Sequence, residues 1–264
     1  MKTKRGLNGC VLKWIAIILM AIDHFGASIL ENFLLNVWDV SPLGDLLRDY
    51  PDYWDLVLMA DRVIRKIGRP AFPVFCFFIV EGFCHTRNVK NYAVRLGIFA
   101  LISEVPFDLA IFGTPFHWGH QNVFFTLLLG LFVIAGLHLV EQHFAGTTVG
   151  KTILRVGLNA VIILTGCVLA LVLKTDYDFK GILAITVLYL FRNRKKAQMW
   201  AGVIIFLLMD SLEMFAALSF ILIWFYNGTR GRQNKYFFYF FYPAHLLFLW
   251  LVCVAMGIAG IPAI

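Results

Sequence analysis

Apolar residues in this chain come in long runs separated by short charged stretches. Nine such runs stand out, at about 12–33, 70–85, 93–113, 122–140, 152–173, 178–191, 198–210, 212–226 and 237–260. A helix needs about 20 apolar residues to cross about 30 Å of hydrocarbon. The runs at 70–85, 178–191, 198–210 and 212–226 are short of that length. The pattern therefore predicts an all-α, polytopic transmembrane helix bundle of about nine spans, with eight to ten as the range.

The longest interruption, about 34–69, has a pattern of its own. It opens with the acidic, aromatic stretch "NVWDVSPLGDLLRDYPDYWD". Beyond it, Trp54, Leu58, Val63 and Ile67 are set against Asp55, Asp61, Arg62, Arg65 and Lys66. Such spacing predicts an amphipathic helix on the outer membrane surface or roofing a cavity. No internal repeat, low-complexity tract or second domain interrupts the rest, so residues 1–264 are expected to form a single membrane domain.

Composition agrees with the pattern. Of 264 residues, 60% are hydrophobic and 15% charged, and Phe alone supplies 26. Soluble domains average about 45–50% apolar and about 25% charged. The five cysteines form no CxxC pair and no zinc spacing, which marks them as small apolar residues. The N-terminal "MKTKRGLNGCVLKW" leads into an apolar run with no convincing cleavage site, the pattern of a retained signal anchor.

The formal charge of +7 is assigned to orientation in the bilayer, with no nucleic-acid partner expected. With the N-terminus in the cytoplasm, 16 of the 23 Lys and Arg fall on the inner side. Five of the other seven lie between residues 48 and 69. An N-in, C-out chain with an odd number of spans is the expectation.

Against that background, a few polar residues are misplaced. "IILMAIDHFGASIL" puts Asp23 and His24 inside the first span. Ionisable groups in hydrocarbon are candidates for function, because each costs a few kcal/mol unless paired or hydrated. The alternative is polar contact between helices. His24 lies eleven residues past Lys13, roughly 16 Å along a helix. His245 lies ten past Lys235 and Glu104 nine past Arg95, roughly 15 Å and 14 Å. All three should sit near the midplane, as if sharing one polar chamber. Lys13, Ile17, Ala21, His24, Ser28 and Glu31 fall on one helical stripe, and Asp23 points about 100° away from His24.

Other clusters lie nearer the ends. Glu81 and His85, four residues apart, are expected at the inner end of the second span. Arg69, His85, Arg87 and Arg95 are donors suited to phosphates or carboxylates, and Arg87 and Arg95 equally suit an inner-face anchor. "FHWGHQNVFFTLL" gathers His117, His120, Gln121 and Asn122 where a helix begins, a place suited to an anion or a carbonyl. No Asp, Glu or Cys completes a ligand set there, and no metal is expected. Walker, GxGxxG and GxSxG motifs are absent from the sequence.

Five segments carry a resemblance: "LKWIAIILMAIDHFGA", "RPAFPVFCFFIVEGFCHTRN", "YAVRLGIFALISEVPFDLA", "HQNVFFTLLLG" and "KYFFYFFYPAHL". Together, and in this order, they resemble the TraX family, whose founding activity is N-terminal acetylation of F-type pilin. The resemblance implies a multi-pass protein of the bacterial cytoplasmic (inner) membrane. It also implies an acyl donor, acetyl-CoA, and an amine or hydroxyl acceptor such as a pilin. Lys13, Arg87 and Arg95 would meet the polyanionic donor, with Arg69 and His85 as further hydrogen-bond donors. His24 would be the general base, with Asp23 holding its surroundings. Glu104 would tune the site, His245 would serve as donor or alternate base, and His120, Gln121 and Asn122 would bind the acceptor. Three functions stay open: peptide N-acetylation; O-acetylation of a glycan, lipid or small molecule; and a non-enzymatic transporter or assembly factor.

Overall fold

A computed structural model describes residues 6–32, 52–146, 148–209 and 211–259; the side chains of Asp52 and Lys235 are not described. The acidic first half of the long loop, to residue 51, lies outside the described residues. Among the described residues the fold is all helix, with two isolated β-bridges and no strand. The helices are α1 (Gly9–Phe25), α2 (Asp52–Gly68), α3 (Ala71–His85), α4 (Val89–Phe112), α5 (Val123–His143), α6 (Val149–Val172), α7 (Asp178–Leu190), α8 (Lys195–Leu207), α9 (Ser219–Trp224) and α10 (Lys235–Ala255). A π-helical turn, Gly26–Leu30, follows α1, and a 3₁₀ turn, Glu213–Leu218, precedes α9.

Among the described residues, each of the nine apolar runs forms helix. Five helical stretches are long and apolar enough to cross a membrane: Gly9–Leu30, Tyr53–His85, Val123–His143, Val149–Val172 and Tyr236–Ala255. The others fall short for identifiable reasons. Helices α7 and α8 have 13 residues each, about 20 Å. Helix α4 carries Lys90, Arg95, Glu104 and Asp108 along its length. The protein is a membrane protein built of helices.

The chain divides into two compact units. One comprises Met1–Val74, Leu101–His117 and Asp210–Ile264; the other comprises Phe75–Ala100 and Trp118–Met209. The core of the second unit joins Leu131, Ile134 and Leu137 of α5 to Ile182, Ile185 and Leu188 of α7, all buried. Gly166 of α6 permits close approach to α5: a Cβ there would stand 2.3 Å from Val133 Cγ2. Small residues at such crossings let helices pack where lipid supplies no hydrophobic drive.

In the first unit α2 packs along α1 and the π turn. Its inward face is Tyr53, Trp54, Val57, Leu58, Asp61, Arg65 and Gly68, the three-and-four spacing of one helical stripe. Ile29, Val57, Leu249, Cys253 and Ile258 form the apolar centre beside it. The inward positions agree with the sequence pattern at Trp54 and Leu58 and reverse it further on. Val63 and Ile67 are both 47% exposed, whereas Asp61 and Arg65 turn inward. A carboxylate on α1, Asp23, takes Arg65 as its partner, and that decides which face turns in.

Candidate functional site

Helices α1 and α10 lie side by side and parallel. Near their starts, Trp14 packs on Phe237 and Phe238, and the Lys13 ammonium lies 5.7 Å from the Phe238 ring centre. Eleven residues on from Lys13, His24 meets His245, its Nδ1 2.7 Å from His245 Nε2. Further along, four residues past His24 and eight past His245, the buried Ser28 and Cys253 touch at 3.7 Å. The two histidines, matched in depth by residue counting, are thus direct partners.

The hydrogen bonds fix the tautomers. His245 Nδ1 lies 2.8 Å from the Phe241 carbonyl oxygen. A carbonyl only accepts, so Nδ1 of His245 carries the hydrogen. With neutral rings, His245 Nε2 then presents a lone pair and accepts from Nδ1–H of His24. Nε2 of His24 is left with the lone pair. The two rings stack at 5.0 Å, Phe241 stacks on His245, and the edge-on ring of Tyr242, 2% exposed, contacts both. This box holds a base nitrogen in a set direction, as general base catalysis requires.

Behind His24 runs a chain of ion pairs with alternating sign. Arg65 bonds Asp23 Oδ2 at 2.9 Å, the Asp23 carbonyl at 3.1 Å and Glu31 at 3.2 Å. Arg69 reaches Asp23 at 3.5 Å and Glu213 at 2.8 Å. Asp23 therefore orients α2 rather than His24, in keeping with the angle between neighbouring helical residues. The predicted stripe ends before Glu31. A π turn holds about one residue more than an α turn, so it rotates the next residues by roughly 100°. Glu31 leaves the face of His24 and joins that of Asp23, where Arg65 holds both.

The sequence does not single out Glu213, and it shows Arg65 only as part of the polar face of an amphipathic helix. The signal was present: Arg65 and Arg69 are one turn apart, two guanidinium groups on one face, and the buried Asp23 requires a cation. Arg69 is 11% exposed and sits between two carboxylates, Asp23 and Glu213. Its role in the structure is a brace. Glu104, also in the first unit, is half-buried and is not among the partners of either imidazole.

The remaining candidates lie in the second unit. His85 is exposed, with Nδ1 2.8 Å from the Glu81 carbonyl. Arg87 is exposed, and Arg95 stands over the Tyr92 ring at 5.7 Å. His120 pairs with Asp176 at 3.5 Å. The Gln121 backbone bridges to Lys174 and Asp176. Asn122 is fully buried and committed: its Oδ1 caps α5 at Phe124 N, and its amide donates to the Ala100 carbonyl at 2.8 Å. In that position Asn122 holds the helix start.

Known proteins resemble this chain along nearly all of its length. The model of the TraX protein family matches residues 8–253. The probable fimbrial assembly protein FimC, serogroup H1, of Dichelobacter nodosus is 29% identical over 264 residues, covering 90% of this chain and 92% of its own length. No solved structure matches.

Proposed function

The chain belongs to the TraX family, and we propose that it moves an acetyl group from cytoplasmic acetyl-CoA to the amino terminus of a pilus or fimbrial subunit. The observation that carries this reading is the His24–His245 bond of 2.7 Å, backed by the Phe241 carbonyl. It leaves one imidazole nitrogen, His24 Nε2, as an oriented base inside an apolar helix pair. In the proposed reaction the acceptor nitrogen attacks the thioester carbonyl carbon, forming C–N as C–S breaks. His24 Nε2 takes the proton from nitrogen and returns it to the departing thiolate. Its Nδ1–H, held by His245, shares the positive charge that appears on the ring.

The chain is placed in the cytoplasmic membrane with its N-terminus inside and about nine spans. The inner-side excess of Lys and Arg supports that orientation. The FimC relative, by its name an assembly protein, supports a fimbrial setting and equally favours a second reading, an assembly factor without chemistry. O-acetylation of a glycan or lipid would use the same base.

Inside-out vesicles given radiolabelled acetyl-CoA and a subunit peptide separate these readings. Label on the peptide amine, lost in His24→Ala at equal folded abundance, is the expected result. Label in lipid or glycan redirects the acceptor. No transfer in wild-type vesicles supplied with each acceptor class overturns the enzyme reading in favour of assembly.

A further inference from the structure

The end of the seam where α1 and α10 begin gathers cations. Both helices begin there, at Gly9 and Lys235, and run parallel, so two positive dipole ends open on one side. The loop Tyr226–Asn234, "YNGTRGRQN", is strapped across the start of α1. Asn227 N donates to the Leu7 carbonyl at 2.9 Å, and Gly9 N donates to the Thr229 carbonyl at 2.7 Å. Gly231, at φ +71°, fits against α1 where a Cβ would stand 2.6 Å from Asn8 Oδ1. Arg230 is thus fixed between two residues pinned to α1.

Arg230 and Arg232 are exposed, and among the described residues neither makes a hydrogen bond or an ion pair. Lys13, one turn into α1, lies at the same end of the seam, its ammonium 5.7 Å from the Phe238 ring centre. The neighbouring sequence supplies no counter-charge. Residues 1–22 and 214–264 contain no Asp or Glu, against Lys2, Lys4, Arg5, Lys13, Arg230, Arg232 and Lys235. Membrane orientation accounts for cations in a loop.

We propose that Arg230, Arg232 and Lys13 form a phosphate-binding mouth for the seam, which docks the nucleotide end of a phosphopantetheine-type acyl thioester. Length favours this ligand class. Lys13 and His24 are eleven residues apart, roughly 16 Å. A ligand that places phosphates at the mouth and a reactive carbonyl at His24 needs a slender linear arm of that length, and the pantetheine arm of CoA has one. The assignment rests on the acyl-transfer reading for its ligand, while the mouth itself is read from charge and geometry. The same cations suit the phosphate of an anionic lipid.

The test is equilibrium binding of CoA and of 3′-phospho-ADP, its armless nucleotide end, to the full chain in zwitterionic nanodiscs. Arg230→Gln/Arg232→Gln is expected to weaken both ligands tenfold or more, and Arg230→Lys/Arg232→Lys to recover most of the loss. Arg194→Gln/Lys195→Gln, a basic pair in the second unit, should bind as wild type does. Unchanged CoA affinity in the Gln double variant overturns the mouth, even where acetyl transfer is observed. No nucleotide binding by wild type, with co-purifying phosphatidylglycerol lost in the double variant, overturns the donor assignment in favour of a lipid headgroup. Arg-dependent CoA binding without any acetyl transfer sustains the mouth and removes the catalytic reading.

Discussion

Arg65 holds Asp23 twice, through the carboxylate at 2.9 Å and through the backbone carbonyl at 3.1 Å. The residue before His24 is thereby fixed from both its side chain and its main chain. Arg65 also binds Glu31 beyond the π turn, so one guanidinium spans the irregular part of the helix. Its removal takes the shortest ion pair from the buried Asp23, which keeps Arg69 at 3.5 Å, and takes the Arg65 contact from the half-exposed Glu31. Arg65→Met is expected to destabilise the protein by about 3–5 kcal/mol, the usual cost of breaking a buried ion pair from one side. The midpoint for loss of monodisperse protein on heating in detergent reads this directly, and Arg65→Lys should fall between the two.

Gly68 sits on the backbone of Asp23. A Cβ at 68 would stand 2.3 Å from Asp23 Cβ and 2.6 Å from its Cα. Neither atom can swing aside, so Gly68→Ala must push α2 away and is expected to cost about 1–3 kcal/mol. Gly157 of α6, with nothing within 4 Å of its Cβ position, is the control. There Gly→Ala should be neutral or stabilising by up to about 1 kcal/mol through helix propensity. Thermal midpoints of the two variants in the same detergent compare them.

The histidine pair predicts an unequal double. His24→Ala removes the base and is expected to lower the acetyl-transfer rate by about 10²–10⁴. His245→Ala leaves the base but frees its ring, for a loss of roughly tenfold to a hundredfold, as when a supporting partner of a functional histidine is removed. The loss should appear in kcat with KM little changed. The double variant should be no slower than His24→Ala, because His245 acts through His24. Single-turnover transfer at matched folded abundance measures all three.

Asn122→Ala should lower stability and spare recognition. The fully buried amide caps α5 and ties it to Ala100, and its loss is expected to cost about 1–3 kcal/mol. KM for the acceptor should stay at the wild-type value in the surviving folded protein. A raised KM with unchanged thermal stability would return Asn122 to the acceptor site.

The sequence by itself determined the class of the protein and the places where its helices form, because a run of apolar residues in lipid has one way to satisfy its backbone. It also determined that His24 and His245 lie at one depth, since residue count and helical rise fix distance along each axis. Rotation about the axis was decided elsewhere. The π turn after α1 moved Glu31 off the stripe of His24, a slip of roughly 100° that no count of apolar spacings reveals. The demand of Asp23 for a cation turned Arg65 and Asp61 of α2 inward and left Val63 and Ile67 outside.

Partner choice was likewise decided by tertiary structure. Arg69 and Asn122 have the chemistry of ligand-binding groups, and the fold commits both to its own joints, Glu213 and Ala100. The pinning of Arg230 against α1 joins residues more than two hundred positions apart. A side chain's chemistry is written in the sequence; whether it is free to act depends on which neighbours packing brings within hydrogen-bond reach.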